Sequence, residues 1–240
     1  MTIKYVFKID ERVLRYEVDV NREYENIDNR PEAPEWTKLE HEQCTNCPLS
    51  RIEHKYCPAA IDLQKVITDF ESLPAVKNAY IHVETPERNY EKNANLEEGL
   101  RSLMGLIMAT CACPILSQLR PNANNHLPFA TQEEFIVRST AFFLLRQYYL
   151  YREGHRPDWE LQGLVKLNQQ LQTLNEALWK RIHSACKNDS NLQALLSFVS
   201  MSSSVSFSLE SQLQQIKSVV LHKTDGLAIR VDGEPKSYLE

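Results

Sequence analysis

The chain has 240 residues, of which 42% are hydrophobic and 25% are charged, as is usual for a globular protein. This length is sufficient to bury a substantial core in one large domain or two small ones. The formal net charge is −5, and no block of five or more lysines and arginines occurs. Binding to nucleic acid or to an anionic membrane is therefore not expected.

Two segments at the start of the chain have alternating apolar residues and predict a β-hairpin. The alternation covers residues 3–9 and 14–20, and the polar segment Asp10-Glu11-Arg12 separates them. The first residues lack the apolar run and the small-residue cleavage site of a signal peptide. We therefore expect a cytoplasmic location.

The rest of the first half predicts one helix and two further strands. Helical spacing covers residues 59–73, with Pro58 at a position where its missing N–H has no cost. Residues 79–85 alternate as a third strand, and residues 86–90 predict a short fourth one. Residues 1–93 are thus expected to form a small α+β region, with a helix against an antiparallel sheet.

The second half is predicted to be mostly helical over residues 94–221, with a polar tail over residues 222–240. Its first helix covers residues 96–110 and has Asn95 in the capping position. Residues 121–128 show no periodicity and predict a loop. Residues 102–119 lack charge, but cysteine, proline and glutamine interrupt them, so we predict no membrane span.

Two long helices follow. A capping box at residues 131–134 begins the first, which is expected to end near Gly154. Its aromatic residues, from Phe142 to Tyr151, predict a helix core. Asp158 is expected to cap the second helix, whose leucine stripe runs from Leu164 to Leu178. That stripe predicts packing against other helices of the same chain, or against a second copy of the chain in a homodimer formed by the helical half. Two shorter helices are predicted at the end of this region, over residues 191–201 and 208–221.

Three of the six cysteines lie in one cysteine-rich loop, residues 43–58. Cys44 and Cys47 have the Cys-x-x-Cys spacing that places two thiolates on one zinc ion, and Cys57 follows within reach. Cytoplasmic thiols stay reduced, so the cluster favours metal or redox chemistry over disulfides. Cys113 is the preferred fourth ligand, because it precedes a proline as Cys47 and Cys57 do.

Other interpretations of these residues stay open. His54, His41 or His126 can replace Cys113 as the fourth ligand, and four cysteines also suit an iron–sulfur cluster or, through a Cys-Pro thiolate, haem. The close pair Cys111 and Cys113 allows thiol redox chemistry. Buried core cysteines without any metal are the plainest explanation.

His126 lies in a His-Leu-Pro-Phe segment and is a candidate general base or ligand, because histidine titrates near neutral pH. Hydrogen bonding to its own loop is the simpler role. The sequence contains no glycine-rich phosphate loop, no G-x-S-x-G elbow and no H-E-x-x-H motif. Catalysis is therefore no better supported than a non-enzymatic role.

Several motifs form a joint pattern over most of the chain: Trp36-Thr-x-Leu39, Gln43-Cys-x-Asn-Cys-Pro-Leu49, Tyr56-Cys-Pro58, Thr85-x-Glu-Arg88, Gly105 to Cys113-Pro114, His126-Leu-Pro-Phe129 and Asp158-Trp-x-Leu161. With this pattern the chain resembles a family of uncharacterised bacterial proteins. The resemblance implies a bacterial cytoplasmic origin. It also makes Cys113 the family's matching cysteine and Cys111 a departure, and it implies no activity, substrate or cofactor.

The sequence thus predicts an α+β protein with a regulatory or adaptor role, an unknown protein partner and a structural zinc site. The predicted ligands are Cys44, Cys47, Cys57 and Cys113. An iron–sulfur, haem or thiol-redox sensor that uses the same cysteines is one alternative. A metal-dependent enzyme with His126 in its pocket is the other.

Overall fold

A computed structural model describes residues 1–24, 33–74, 76–185 and 209–221. One antiparallel sheet has the strand order β2-β1-β3-β4. Its strands are β1 (Thr2–Ile9), β2 (Arg12–Asp19), β3 (Asn78–Glu84) and β4 (Asn89–Asn95). The predicted hairpin and third strand are confirmed. The fourth strand begins three residues later than predicted, because Thr85 and Arg88 close a turn before it, and it extends to Asn95, paired with β3 along its whole length.

The described ranges contain six α-helices: α1 (Pro58–Phe70), α2 (Leu96–Thr110), α3 (Arg120–Asn124), α4 (Gln132–Arg152), α5 (Gln162–Ala185) and α6 (Leu209–Leu221). The α+β prediction is confirmed. The predicted loop at residues 121–128 is partly wrong because it contains most of α3, which is too short for periodicity to reveal. The helix predicted at residues 191–201 and the tail at residues 222–240 lie outside the described residues.

One core unites the sheet with helices from both halves of the chain. The alternation in β1 turns Ile3, Tyr5, Phe7 and Ile9 inward, and each is at most 1% exposed. Buried side chains of α1, α2 and α5 belong to the same hydrophobic cluster. At Gly99 in α2, an added Cβ would lie 2.4 Å from Cδ1 of Ile81. Glycine therefore permits the close approach of α2 to β3.

The bounds of α2 are confirmed, while α1 ends at Phe70, three residues before the predicted end, and the predicted caps hold for α4 and α5 but not for α2. The Thr131 side chain accepts a hydrogen bond from the Glu134 N–H, and the Glu134 carboxylate accepts one from Thr131 in return. Asp158 accepts from two N–H groups at the start of α5. Asn95, however, makes no side-chain cap. The first N–H of α2, from Leu96, donates to the Lys77 carbonyl at 2.9 Å instead.

The aromatic residues near the end of α4 are not core, which corrects the sequence prediction. Tyr148, Tyr149 and Tyr151 are 43%, 58% and 58% exposed, and the buried residues of α4 are Ile136 and Gln147. The leucine stripe of α5, in contrast, is buried within the chain. The homodimer stays a prediction. None of the helices in the described ranges combines the length and apolar character of a membrane span.

Candidate metal centre

Backbone hydrogen bonds close the base of the cysteine-rich loop. Residues 36–39 run antiparallel to residues 55–57, with Lys38 opposite Tyr56. The Leu39 N–H donates to the Lys55 carbonyl at 2.9 Å, and the Cys57 N–H donates to the Thr37 carbonyl at 2.8 Å. The two ends of the loop are therefore hydrogen-bonded to each other, and α1 begins at Pro58 directly after them.

Each cysteine segment holds its sulfur with a short local structure. The Cys47 N–H donates to the Cys44 carbonyl at 3.0 Å, which forms a turn across the Cys-x-x-Cys spacing. The sulfur of Cys57 accepts hydrogen bonds from the N–H groups of the residues two and three positions later, and so does the sulfur of Cys113. Proline after each of these cysteines fits the start of a helical turn and leaves the next N–H groups free to donate to sulfur.

The structure brings the four predicted ligands to one place. Cys44, Cys47, Cys57 and Cys113 all line a cavity of about 20 Å³, which is enough space for about one water-sized particle. All five cysteines in the described ranges are free thiols. Nevertheless, within the same ranges no group of three or more His, Cys, Asp or Glu side chains is already arranged to hold a metal ion.

The alternative histidines do not line this cavity. His41 bonds Ser184 through its ring at 2.6 Å. His126 lines a different cavity, so it is not placed to share a metal with the four cysteines. Cys186 lies outside the described residues.

Burial makes the thiols of Cys44 and Cys57 weak acids in the absence of metal. It raises the pKa of Cys44 to about 12, with smaller contributions from the neighbouring cysteines, and it also raises the pKa of Cys57. Cys113 is the exception. A hydrogen bond from the Cys111 thiol lowers the pKa of Cys113 to about 7, and the same bond raises the pKa of Cys111. The pKa of Cys113 therefore lies below those of Cys44, Cys57 and Cys111.

Arg181 of α5 lines the same cavity and holds the loop in position. Its side chain is buried, and its guanidinium donates to the carbonyls of Trp36 at 2.6 Å, Lys38 at 2.5 Å and Leu39 at 3.3 Å. No carboxylate in the described part of the chain forms an ion pair with it. The charge of Arg181 favours thiolate at Cys57 and Cys44, so a buried cation faces the candidate ligands.

His126 belongs to a second cavity, of about 180 Å³. Its Nε2 lies 2.5 Å from the hydroxyl of Tyr5, which lies 2.7 Å from Oγ of Ser102. Ser102 Oγ also accepts from the Phe129 N–H at 3.1 Å. The simpler prediction was a hydrogen bond from His126 to its own loop, but the partner of its Nε2 is Tyr5 of β1, and it is Phe129 that ties this loop to Ser102. Burial, reinforced by the charge of Arg138, lowers the pKa of His126 to about 3.

This lowered pKa predicts a loss of stability in mild acid. Between about pH 6.5 and about pH 3 the unfolded chain binds a proton at residue 126 that the folded chain does not, so stability falls as the pH falls. The slope from this group approaches about 1.4 kcal/mol per pH unit. Urea unfolding between pH 7 and pH 4 should show His126→Gln with a flatter pH dependence than wild type. Equal slopes would contradict the assignment.

The sequence pattern around one buried arginine, Arg181, left a signal that the sequence predictions did not use. Arg181 follows Leu178 by three positions, so it interrupts the apolar stripe of α5 with a charge. Such a residue is either at the edge of the stripe or bound to something buried beneath it. Arg181 is of the second kind, because it binds loop carbonyls about 140 positions away in sequence.

Comparison with known proteins gives a family and no activity. Neither the curated proteins nor the solved structures include a match to this chain. A family described as a domain of unknown function, DUF6901, matches residues 1–221. This match covers most of the chain and agrees with the resemblance to uncharacterised proteins that the motifs suggested. The chain therefore belongs to the DUF6901 family.

Proposed function

We propose that this protein is a non-enzymatic cytoplasmic regulatory or adaptor protein with one structural zinc ion, bound by Cys44, Cys47, Cys57 and Cys113. The observation that carries the proposal is that these four cysteines, from separate segments of the chain, line one small cavity. Four thiolates are a common ligand set for structural zinc, which prefers tetrahedral coordination.

Binding requires the sulfurs to move inward to about 2.3 Å from the metal. Three features support thiolates here: the turn at Cys44 and Cys47, the N–H donors to the sulfurs of Cys57 and Cys113, and the charge of Arg181. Four thiolates with Zn²⁺ carry a net charge of −2, which a buried guanidinium partly balances.

The proposed metal has a structural role because of what the ligands connect. Cys44 and Cys47 belong to the loop, Cys57 precedes α1, and Cys113 follows α2. Side chains of α5 close the same cavity. Zinc at this point ties the two halves of the chain together, and a site closed by four protein ligands leaves no open position for catalysis. The unknown partner of the regulatory role would then bind elsewhere.

Metal analysis of untagged protein, purified without chelators, tests the proposal. We expect about one zinc per chain in wild type and a nearly complete loss in Cys44→Ser, because three remaining ligands bind zinc more weakly. Cys111→Ser is the matched control: Cys111 does not line the cavity, and a serine hydroxyl can still donate to Cys113, so zinc content should be retained.

Two other results would redirect the proposal. Iron with visible absorption would favour the alternative of an iron–sulfur or haem sensor with the same cysteines. If the protein contains no metal and all of its thiols react with a thiol reagent, the metal centre is ruled out. Thiol redox chemistry or a simple cluster of core cysteines would then be the remaining explanations.

A further inference from the structure

The cavity beside His126 has the composition of a site for a small organic ligand. Its wall is mostly apolar, formed by side chains of α2, α4, α5 and the segment between α2 and α4, including Leu106, Met108, Leu119, Phe129, Phe135 and Leu171. A cavity of about 180 Å³ compares with the roughly 150 Å³ engineered cavity that binds benzene. The volume suits one aromatic ring or a short acyl chain.

One charged group in this wall has unused hydrogen-bonding capacity. Arg138 of α4 donates from one terminal nitrogen to the Asn122 carbonyl at 2.8 Å, while its Nε is buried without a hydrogen-bond partner. In the described part of the chain no carboxylate forms an ion pair with it. Glu134, one turn earlier, uses its carboxylate to complete the capping box. A buried N–H of an arginine without an acceptor is costly, and a carboxylate is the acceptor that matches a guanidinium best.

The polar groups near Arg138 are compatible with an anion and not with a cation. His126 is neutral at physiological pH, and its Nε2 is already bonded to Tyr5. Arg101 also lines the cavity. Thr131, an exposed residue in the same wall, brings the cavity to the protein surface. A ligand can therefore enter with its apolar end between the helices and its charged end near Arg138.

We propose that this cavity binds a small carboxylic acid, with an apolar body of about one ring or a chain of about six to eight carbons, whose carboxylate pairs with Arg138. The site is independent of the proposed zinc centre, because the two cavities share no lining residue. Helix α5 borders both of them. The proposed ligand here is an organic acid, whereas the four cysteines are proposed to bind a metal ion.

Isothermal titration calorimetry with matched probes tests the proposal at pH 7.5. The probes are phenylacetate and octanoate, with phenylacetamide as the neutral isostere and 2-phenylethylamine as the cation. Phenylacetate should bind at least about tenfold more tightly than phenylacetamide, because about 1.4 kcal/mol of charge-assisted bonding corresponds to tenfold. The amine should bind more weakly than either.

A pair of arginine variants on α4 locates the anion. In Arg138→Gln the affinity for phenylacetate should fall about tenfold or more, while the affinity for phenylacetamide stays within about twofold and shows that the cavity is intact. Arg146→Gln changes an exposed arginine of the same helix that does not line the cavity, and it should leave both affinities unchanged.

A second readout follows from His126. A bound carboxylate beside Arg138 offsets the charge that helps to lower the pKa of His126. Because a carboxylic acid is ionised only above about pH 4, the comparison is made at about pH 5, where saturation with phenylacetate should increase the protonated fraction of the His126 ring in NMR spectra. Equal affinities for acid and amide, an unchanged phenylacetate affinity in Arg138→Gln, or no binding of either carboxylate at millimolar concentration would overturn the proposal.

Discussion

Removal of the proposed zinc ion is expected to lower the thermal unfolding midpoint by roughly 5 to 11 °C. A ligand present at 100 times its dissociation constant stabilises the folded state by about 2.7 kcal/mol. For a chain of this size, each kcal/mol corresponds to about 2 to 4 °C. The shift should appear in differential scanning calorimetry after dialysis against a chelator, and added Zn²⁺ should reverse it while Mg²⁺ should not.

Cysteine variants show whether the shift comes from the proposed site. Cys57→Ser should unfold at a lower temperature than wild type and should respond little to chelator or to Zn²⁺. Cys111→Ser should keep the chelator response. If the chelator leaves the wild-type midpoint unchanged in protein that contains zinc, the metal is not structural.

Arg181→Ala is expected to be among the most destabilising single substitutions, at about 3 to 5 kcal/mol. Three loop carbonyls lose a charged donor, and a buried polar group left without its partner costs about 1 to 3 kcal/mol. Equilibrium unfolding in urea measures this loss. Arg181→Lys should recover only part of the stability, since one ammonium group cannot reproduce the fork of the guanidinium.

The neighbouring residue Lys180 supplies the control for Arg181. It is exposed on the same helix, so Lys180→Ala should change stability by less than about 0.5 kcal/mol. A cost for Arg181→Ala no larger than that of the control would show that the helix and the loop are held together by other contacts.

Local sequence patterns predicted the secondary structure where burial follows a simple period. The alternation in β1 and the capping box at Thr131 each determine a local structure, and both are confirmed. The aromatic residues near the end of α4 misled the prediction, because spacing alone does not show whether another element covers that face. Tyr149, for example, is a large aromatic residue of a type that is often buried, yet its side chain is 58% exposed.

The sheet order and the assembly of the cysteines depend on contacts between distant residues. The hairpin predicts that β1 pairs with β2, but nothing local indicates that β3 pairs with the other edge of β1. Proximity of Cys44 and Cys57 is readable from the loop length. Cys113 was chosen for its Cys-Pro dipeptide, and the structure places it on the same cavity.

The second cavity was beyond sequence reasoning, apart from His126. Its lining residues come from α2, α4, α5 and the segment between α2 and α4, and most of the apolar ones, taken alone, are ordinary residues of an amphipathic helix. Arg138 has a recognisable signal only once the fold shows that its Nε is buried. The role of such residues depends on which side chains pack around them, and the spacing of residues in the sequence does not show that.

X-ray absorption at the zinc edge, on protein purified without chelators, tests the four-cysteine centre most directly. We expect four sulfur neighbours at about 2.3 Å from the zinc and no nitrogen neighbour. Three sulfurs and one nitrogen at about 2.0 Å would show that a histidine is the fourth ligand in place of Cys113, with His54 the first candidate. Oxygen and nitrogen neighbours alone, or protein without zinc, would contradict the proposed four-cysteine zinc site.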